Sequence, residues 1–229
     1  GISKYAFSHC SALTSAVIGN NVKTIGEHAF SYCSSLTSTT IGKSVITIGE
    51  EAFRDCSALT SIVIPDSVLA IENSTFFNCS ALTSVTLNNS LISIYDYAFM
   101  DCSSLTSITI PEDVTYIGDR VFYNCSALTS VTWNAMDCGD FVDYYSDGRK
   151  VPSSRFEGCP ITSFTFGDNV EYIPGGLCYQ MTGLQSIVLP ENVYSIGDYA
   201  FYGCSSLTSI TIPEHVYSMG ERAFYGCSS

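Results

Sequence analysis

Basic residues are scarce in this chain: 9 Lys and Arg stand against 22 Asp and Glu among 229 residues, a formal charge of −13 at neutral pH. A phosphate backbone would be repelled rather than held through counterion release, so nucleic acid is excluded as a default partner. Histidine is rarer still. His9, His28 and His215 are the whole supply and fall on three different positions of the pattern described below, which leaves no shared constellation for a base or a metal. The motifs G-x-S-x-G, G-x-G-x-x-G, H-E-x-x-H and the P-loop are all absent, and serines without a partnered histidine carry no nucleophilic chemistry. These absences predict a non-enzyme with no catalytic residues and no cofactor. Eleven cysteines include no C-x-x-C pair, which argues against zinc. No run of 18 apolar residues spans a bilayer, and no basic start followed by an apolar segment marks a signal peptide.

What the chain has in abundance is itself. The stretch LTSITIPEDVTYIGDRVFYNC, residues 105–125, recurs almost throughout. Each copy opens on an L-x-x-I-x-I hexad (Leu105, Ile108, Ile110), turns at Pro111, re-enters at Val114 and Ile117, turns at Gly118 and closes on Phe122 and Cys125. One unit of this size cannot offset a backbone ordering cost of roughly 1–2 kcal/mol per residue, so its apolar side must be covered by neighbouring copies.

The copies align as columns. Cys10, Cys33, Cys56, Cys79, Cys102 and Cys125 follow at intervals of 23, and the period resumes through Met181, Cys204 and Cys227. Three residues before each column member lies an aromatic file, Phe7, Phe30, Phe53, Phe76, Phe99, Phe122, Phe156, Phe201 and Phe224, with Cys178 in one of its places. Eight before come Ile25, Ile48, Ile71, Ile94, Ile117, Val151, Ile173, Ile196 and Met219, all expected in the core. Nine hexads predict nine short strands, parallel and in register, with first, fourth and sixth side chains inward and a Ser/Thr face outward. Short strands, turns or one-turn helices are expected opposite. Gly26, Gly49, Gly118, Gly197 and Gly220 suit either a positive φ or a close backbone approach. The cysteine column reads as buried thiols, and Cys138 as the one thiol placed for exposure or bridging.

The LTSITIP, IG, AF and C elements resemble the BspA-like leucine-rich repeats of surface and secreted proteins in host-associated bacteria and some protists. The resemblance implies an α/β-type, right-handed leucine-rich-repeat superhelix with one parallel sheet of about nine strands. It further implies an extracellular or cell-surface location and adhesive binding of a protein partner, such as a host extracellular-matrix protein. Residues 1–229 read as one solenoid. Because the pattern starts and stops inside a repeat, the chain is expected to be a segment of a longer protein, or to have its ends covered by partner chains.

The pattern fails at residues 134–151, an insertion of about 11 residues placed in the first turn by counting from Trp133 to Val151. Phe141, Tyr144 and Tyr145 stand there beside Asp143, Arg149 and Lys150, a composition suited to recognition. The insertion is either a binding loop or a tolerated excursion packed on its own aromatics. Asp137, Asp140, Asp143 and Asp147 raise calcium, but their spacing does not match an EF-hand loop, and a solvated acidic loop explains them. The alternative for the whole chain is a passive spacer.

Overall fold

The computed structural model describes residues 1–144 and 149–228. The repeat winds into a solenoid whose front is built from Ser15–Ile18, Ser38–Ile41, Ser61–Val63, Ser84–Thr86, Ser107–Ile110, Ser130–Trp133 and Ser163–Phe166. Each strand is the later part of its hexad, and pairing is parallel and in register, with Ser107 opposite Ser130 and Ser130 opposite Ser163. The last two hexads contribute a single parallel bridge, Ser186 to Ser209. Alternation follows the pleat: Leu105, Ile108 and Ile110 are buried while Thr106, Ser107 and Thr109 face solvent.

A second parallel ladder of two-residue strands lines the next side. It is paired in three runs: Thr24–Ile25 with Thr47–Ile48; Ala70–Ile71, Ser93–Ile94 and Tyr116–Ile117; and Tyr172–Ile173, Ser195–Ile196 and Ser218–Met219. No helix occurs among the described residues, so the opposite side is made of turns and the α/β label gives way to an all-β solenoid.

Those turns are regular. On the back of each coil, alternate N–H groups close a local turn or reach the next coil, as when Cys33 N bonds Phe30 O (3.2 Å) while Phe30 N bonds Ala52 O (2.8 Å). Outside the sixth coil, two residues per coil take the left-handed conformation to achieve this. In the fourth coil they are Tyr97 (φ 58°) and Asp101 (φ 61°), and in its neighbour Arg120 (51°) and Asn124 (59°). The repeat therefore places non-glycine residues where glycine is easier, and inter-coil hydrogen bonds offset the strain. The Ile-Gly glycines do the other job. A Cβ on Gly49 would lie 2.7 Å from Glu27 N, and one on Gly118 2.6 Å from Asp96 N, so close approach of successive coils explains them.

Within the coils the phenylalanines from Phe7 to Phe156 form a continuous stack with centroids 5.0–5.6 Å apart. The cysteine column has a specific role beside it. From Cys33 to Cys125 each thiol donates to the phenylalanine carbonyl of the preceding coil, among them Cys56 to Phe30, Cys79 to Phe53 and Cys102 to Phe76, all at 3.2 Å, while Cys204 donates to Cys178 O. A small side chain with one donor fits this slot, and all eleven cysteines remain free thiols. Several residues expected in the core are not: Val151 and Ile212 are 40% and 37% exposed, and two more stand at the ends of the array. Phe7 is 41% and Met219 50% exposed, because each lies in an outermost coil with a neighbour on one side only.

Candidate functional site

The sixth coil, whose hexad runs from Leu128 to Trp133, departs from the pattern, and backbone bonding shows where. In an ordinary coil Tyr97 N bonds Asp119 O (2.9 Å), and Asp96 Oδ1 accepts from Asp119 N (2.8 Å). Here Phe141 N bonds Gly175 O (2.7 Å) and Asp140 Oδ1 accepts from Gly175 N (2.7 Å). Asp140 thus occupies the Asp96 and Asp119 column. It is reached 7 residues after Trp133, where Ile110 to Asp119 takes 9, and this coil has no second strand among the described residues. The coil is rejoined at Arg155, whose carbonyl accepts from Phe122 N (3.1 Å), as Val121 O accepts from Phe99 N.

The excursion therefore leaves from the second corner, after Asp140, and not from the first turn. Val151 does not replace Ile117 in the core. It is 40% exposed and pairs with Asp143 in an antiparallel hairpin of Val142–Tyr144 with Lys150–Pro152.

The foot of this hairpin is fixed firmly. Phe141 is 2% exposed, edge-on to Trp133 at 6.1 Å, with the Arg155 guanidinium 4.8 Å over its ring. Arg155 is itself buried and donates from Nε to Ile117 O (3.2 Å) and from Nη1 to Ser153 O (3.3 Å), and it pairs with Asp119 at 3.0 Å. Lys150 Nζ stands 2.5 Å from Asp198 and 3.8 Å from Glu221. The Tyr172 hydroxyl donates to Asp140; its burial, then that hydrogen bond, push its pKa well above the ordinary range.

The six residues singled out from sequence divide accordingly. Asp143, Arg149 and Lys150 come together on the hairpin, with Asp143 and Arg149 exposed and Lys150 half-buried. Tyr144 pairs with Lys150 through the backbone. Phe141 faces inward, its ring held by the core rather than offered outward. Tyr145 lies outside the described residues, as does Asp147 of the acidic set. Asp140 is committed to Gly175 and Tyr172, and among the described residues no carboxylate, His or Cys group assembles as a metal site.

Cys138 requires a correction. It turns inward where the second strand is missing and is 3% exposed, and burial pushes its thiol up to about 12. The accessible thiols are Cys10, which is exposed, and Cys159 and Cys227, which are half-buried.

A feature missed from sequence lies beside the hairpin foot. Among the described residues the back side keeps only the Phe141–Gly175 bond between the sixth and seventh coils, whereas the next junction has three: Gly176 to Asp198, Cys178 to Ala200 and Gln180 to Tyr202. The result is a cleft of about 280 Å³ lined by Ser154, Glu157, Gly158, Cys159, Tyr179 and Gln180, among others. Its signal was present: Cys178 replaces the stacking phenylalanine and Met181 the thiol donor, so both inter-coil ties are lost at one junction.

Coils of hexad, corner, short strand and turn, stacked in register on a shared core, define a leucine-rich-repeat solenoid. The family model for the BspA-type leucine-rich repeat region matches residues 1–129 and 143–229, and the chain belongs to that family. The unmatched stretch, 130–142, contains the shortened segment and the buried Cys138 and Phe141. Among solved structures, a leucine-rich repeat protein from Eubacterium ventriosum is 19% identical with a TM-score of 0.58, over 98% of this chain and 80% of its own. The pneumococcal vaccine antigen PcpA is 22% identical with a TM-score of 0.50, over 99% of this chain and 58% of its own. These two show the fold. A leucine-rich cell surface protein from Faecalibacterium prausnitzii is 26% identical with a TM-score of 0.47, over 98% and 80%. No curated protein matches. No helix among the described residues is long and apolar enough to cross a membrane.

Proposed function

We propose that the chain is a non-catalytic binding module of the cell surface or the extracellular space, and that the 142–152 hairpin is its contact element for a protein partner, with a host extracellular-matrix protein as the first class to test. One observation carries this reading: the hairpin is irregular in sequence yet clamped at its foot by Phe141, Arg155 and Lys150. Strands held at the foot lose little conformational entropy on binding, and they present Asp143 and Arg149 from a rigid base. Leucine-rich repeats are scaffolds compatible with protein binding, which favours the same reading.

The test is to replace residues 143–149 with a Gly/Ser segment of equal length, keeping Phe141, Lys150 and Arg155, and to measure binding to a panel of immobilised extracellular-matrix proteins. Loss of binding with an unchanged melting temperature supports the hairpin as the contact. Unchanged binding removes it from that role.

A passive spacer is the second reading, and the front face favours it. Its outward threonines are spent internally: Thr37 Oγ1 donates to Thr14 O (3.0 Å), Thr83 to Thr60 O (3.0 Å) and Thr208 to Gln185 O (3.2 Å). Hydroxyls already donated to the neighbouring coil bring less to a partner. If the unaltered chain binds nothing on the panel, this reading takes precedence.

A further inference from the structure

The backbone bonds missing between the sixth and seventh coils leave their donors and acceptors on opposite walls of the cleft there. At the next junction Cys178 N and Gln180 N bond Ala200 O and Tyr202 O, both at 2.7 Å. The corresponding groups here are Phe156 N and Gly158 N on one wall and Leu177 O and Tyr179 O on the other. Phe156 N is taken by Ser154 Oγ (3.1 Å), whereas Gly158 N, Leu177 O and Tyr179 O have no partner among the described residues. Backbone groups are paired with protein, water or ligand almost without exception, so one free donor opposite two free acceptors is a specific demand on whatever enters.

The side chains around these groups narrow the chemistry. Tyr202 covers one face of the Tyr179 ring (5.3 Å, 21°), and among the described residues no ring stacks on the other face. That face is turned toward the sixth coil, where Glu157 stands in the column that Tyr123 occupies one coil earlier. Glu157 contributes an exposed carboxylate and Gln180 an exposed carboxamide. An aromatic face beside a carboxylate and an amide suits a polyhydroxylated ring, whose C–H side stacks while its hydroxyls bond the polar groups.

The cleft is closed at both ends. At one, the Phe141 N–Gly175 O bond (2.7 Å) ties the coils together; at the other, a Cβ on Gly183 would stand 2.8 Å from Ile161 O. A polypeptide strand laid between the coils would need its walls parted to about twice the 4.8 Å spacing along its whole length, which these two approaches prevent. A volume of about 280 Å³ is left. That lies just below the roughly 300–1,000 Å³ of sites for drug-sized ligands and takes one ring with a short substituent.

We propose that this cleft binds a single N-acetylated hexosamine residue of a glycan, its ring on the free face of Tyr179, its acetamido C=O accepting from Gly158 N–H and its acetamido N–H donating to the free carbonyls of the seventh coil. An acetamido group carries in one plane the acceptor and the donor that the two walls lack, and Glu157 and Gln180 take ring hydroxyls. The site uses none of residues 143–149 and does not rest on the hairpin reading.

The experiment titrates the isotope-labelled whole chain with the methyl glycoside of N-acetylglucosamine and follows the amide signals by NMR. Those of Gly158 and Gln180 should move saturably, and the Gly158 amide should exchange at least about threefold more slowly at saturation. Tyr179→Leu, which keeps the bulk of the wall and removes the ring, should weaken binding about tenfold, and Glu157→Gln about threefold. Should Tyr179→Leu disturb the fold, Gln180→Ala carries the test at an exposed side chain, with an expected loss of about threefold. Methyl glucoside, which lacks the acetamido group, should bind at least about tenfold more weakly. Unmoved amides overturn the proposal, and so does equal binding by the variants or by methyl glucoside. Movement of the same amides at lower concentrations of N-acetylglycine N-methylamide would assign the cleft to peptide and overturn it too. The chain carrying the Gly/Ser replacement of 143–149 should bind the sugar unchanged, which tells failure of this site from failure of the hairpin.

Discussion

Phe141→Ala separates a structural plug from a contact residue. The ring is 2% exposed, edge-on to Trp133 and covered by Arg155, so its removal leaves a cavity in the sixth coil and deprives a buried guanidinium of its cover. Truncation of a buried phenylalanine costs about 3–5 kcal/mol, and loss of the cation–π contact adds roughly 0.5–1 kcal/mol. For a chain of this length about 2–4 °C of melting temperature accompany each kcal/mol, which sets the expected fall at roughly 7–24 °C. Differential scanning calorimetry reads the fall directly. Cys138 supplies a second readout, because its burial depends on the same segment and its thiol should become reactive to a disulfide reagent in the variant. An unchanged melting temperature together with lost partner binding would refute the reasoning and move Phe141 to the contact surface.

Three further outcomes follow from the same geometry. In thiol titration of the folded chain at pH 8, Cys10, Cys159 and Cys227 should react rapidly and the other eight slowly until denaturant is added. Burial lifts Cys33 to about 11 and Cys138 and Cys204 to about 12, leaving little thiolate at pH 8, and rapid reaction of all eleven would contradict the buried column. Gly118→Ala should destabilise by about 2 kcal/mol or more because its Cβ would collide with the Asp96 backbone, while Gly19→Ala, with open space around it, should change stability by less than about 0.5 kcal/mol. Calorimetry that ranked the two alike would show that coil approach is looser than described. By hydrogen exchange, the Gly158 amide, which has no partner among the described residues, should exchange at least about tenfold faster than those of Asn124 and Gln180, which bond Glu157 O (2.8 Å) and Tyr202 O (2.7 Å). Equal protection would mean that the sixth and seventh coils are joined as tightly as the rest.

Most of the fold was legible because the information is repeated. Leu105, Ile108 and Ile110 establish a pleat once, and eight further hexads restate it, so the parallel register had one solution. The phenylalanine stack was legible for the same reason. The role of the cysteines was only half legible: small and buried could be read from the column, but the acceptor could not, because the Phe53 carbonyl that takes the Cys79 proton belongs to the preceding coil and carries no side-chain signature. Left-handed Tyr97 and Asp101 were likewise invisible, since nothing in their identity announces a positive φ. The strain there is held by bonds from their N–H groups to the following coil, and those exist only once the array has formed.

The insertion was misplaced for a reason that bears on where recognition can evolve in such an array. Counting apolar residues from Trp133 put Val151 in the Ile117 column, and Val142 and Val151 are equally good hydrophobic candidates for it. What the solenoid conserves across the break is instead the polar register at the corner. Asp140 accepts from Gly175 N as Asp96 accepts from Asp119 N, and Phe141 N reaches the Gly175 carbonyl. A corner carboxylate and one backbone bond suffice to carry the array past the excursion, with the short strand omitted and Cys138 turned inward. This corner is therefore a point at which a segment can be let out without breaking the stack, and the cost falls on the adjacent back-side junction, which loses its phenylalanine stack, its thiol bond and two backbone bonds. Asp140→Ala tests that account: it removes the acceptor for both Gly175 N–H and the Tyr172 hydroxyl, and it should cost about 2–4 kcal/mol while leaving Asp143 and Arg149 in place. Faster exchange of the Gly175 amide in that variant, with protection retained at Asp119, is the expected local signature. Uniform loss of protection along the whole array would show that the corner contributes no more to the sixth coil than to any other.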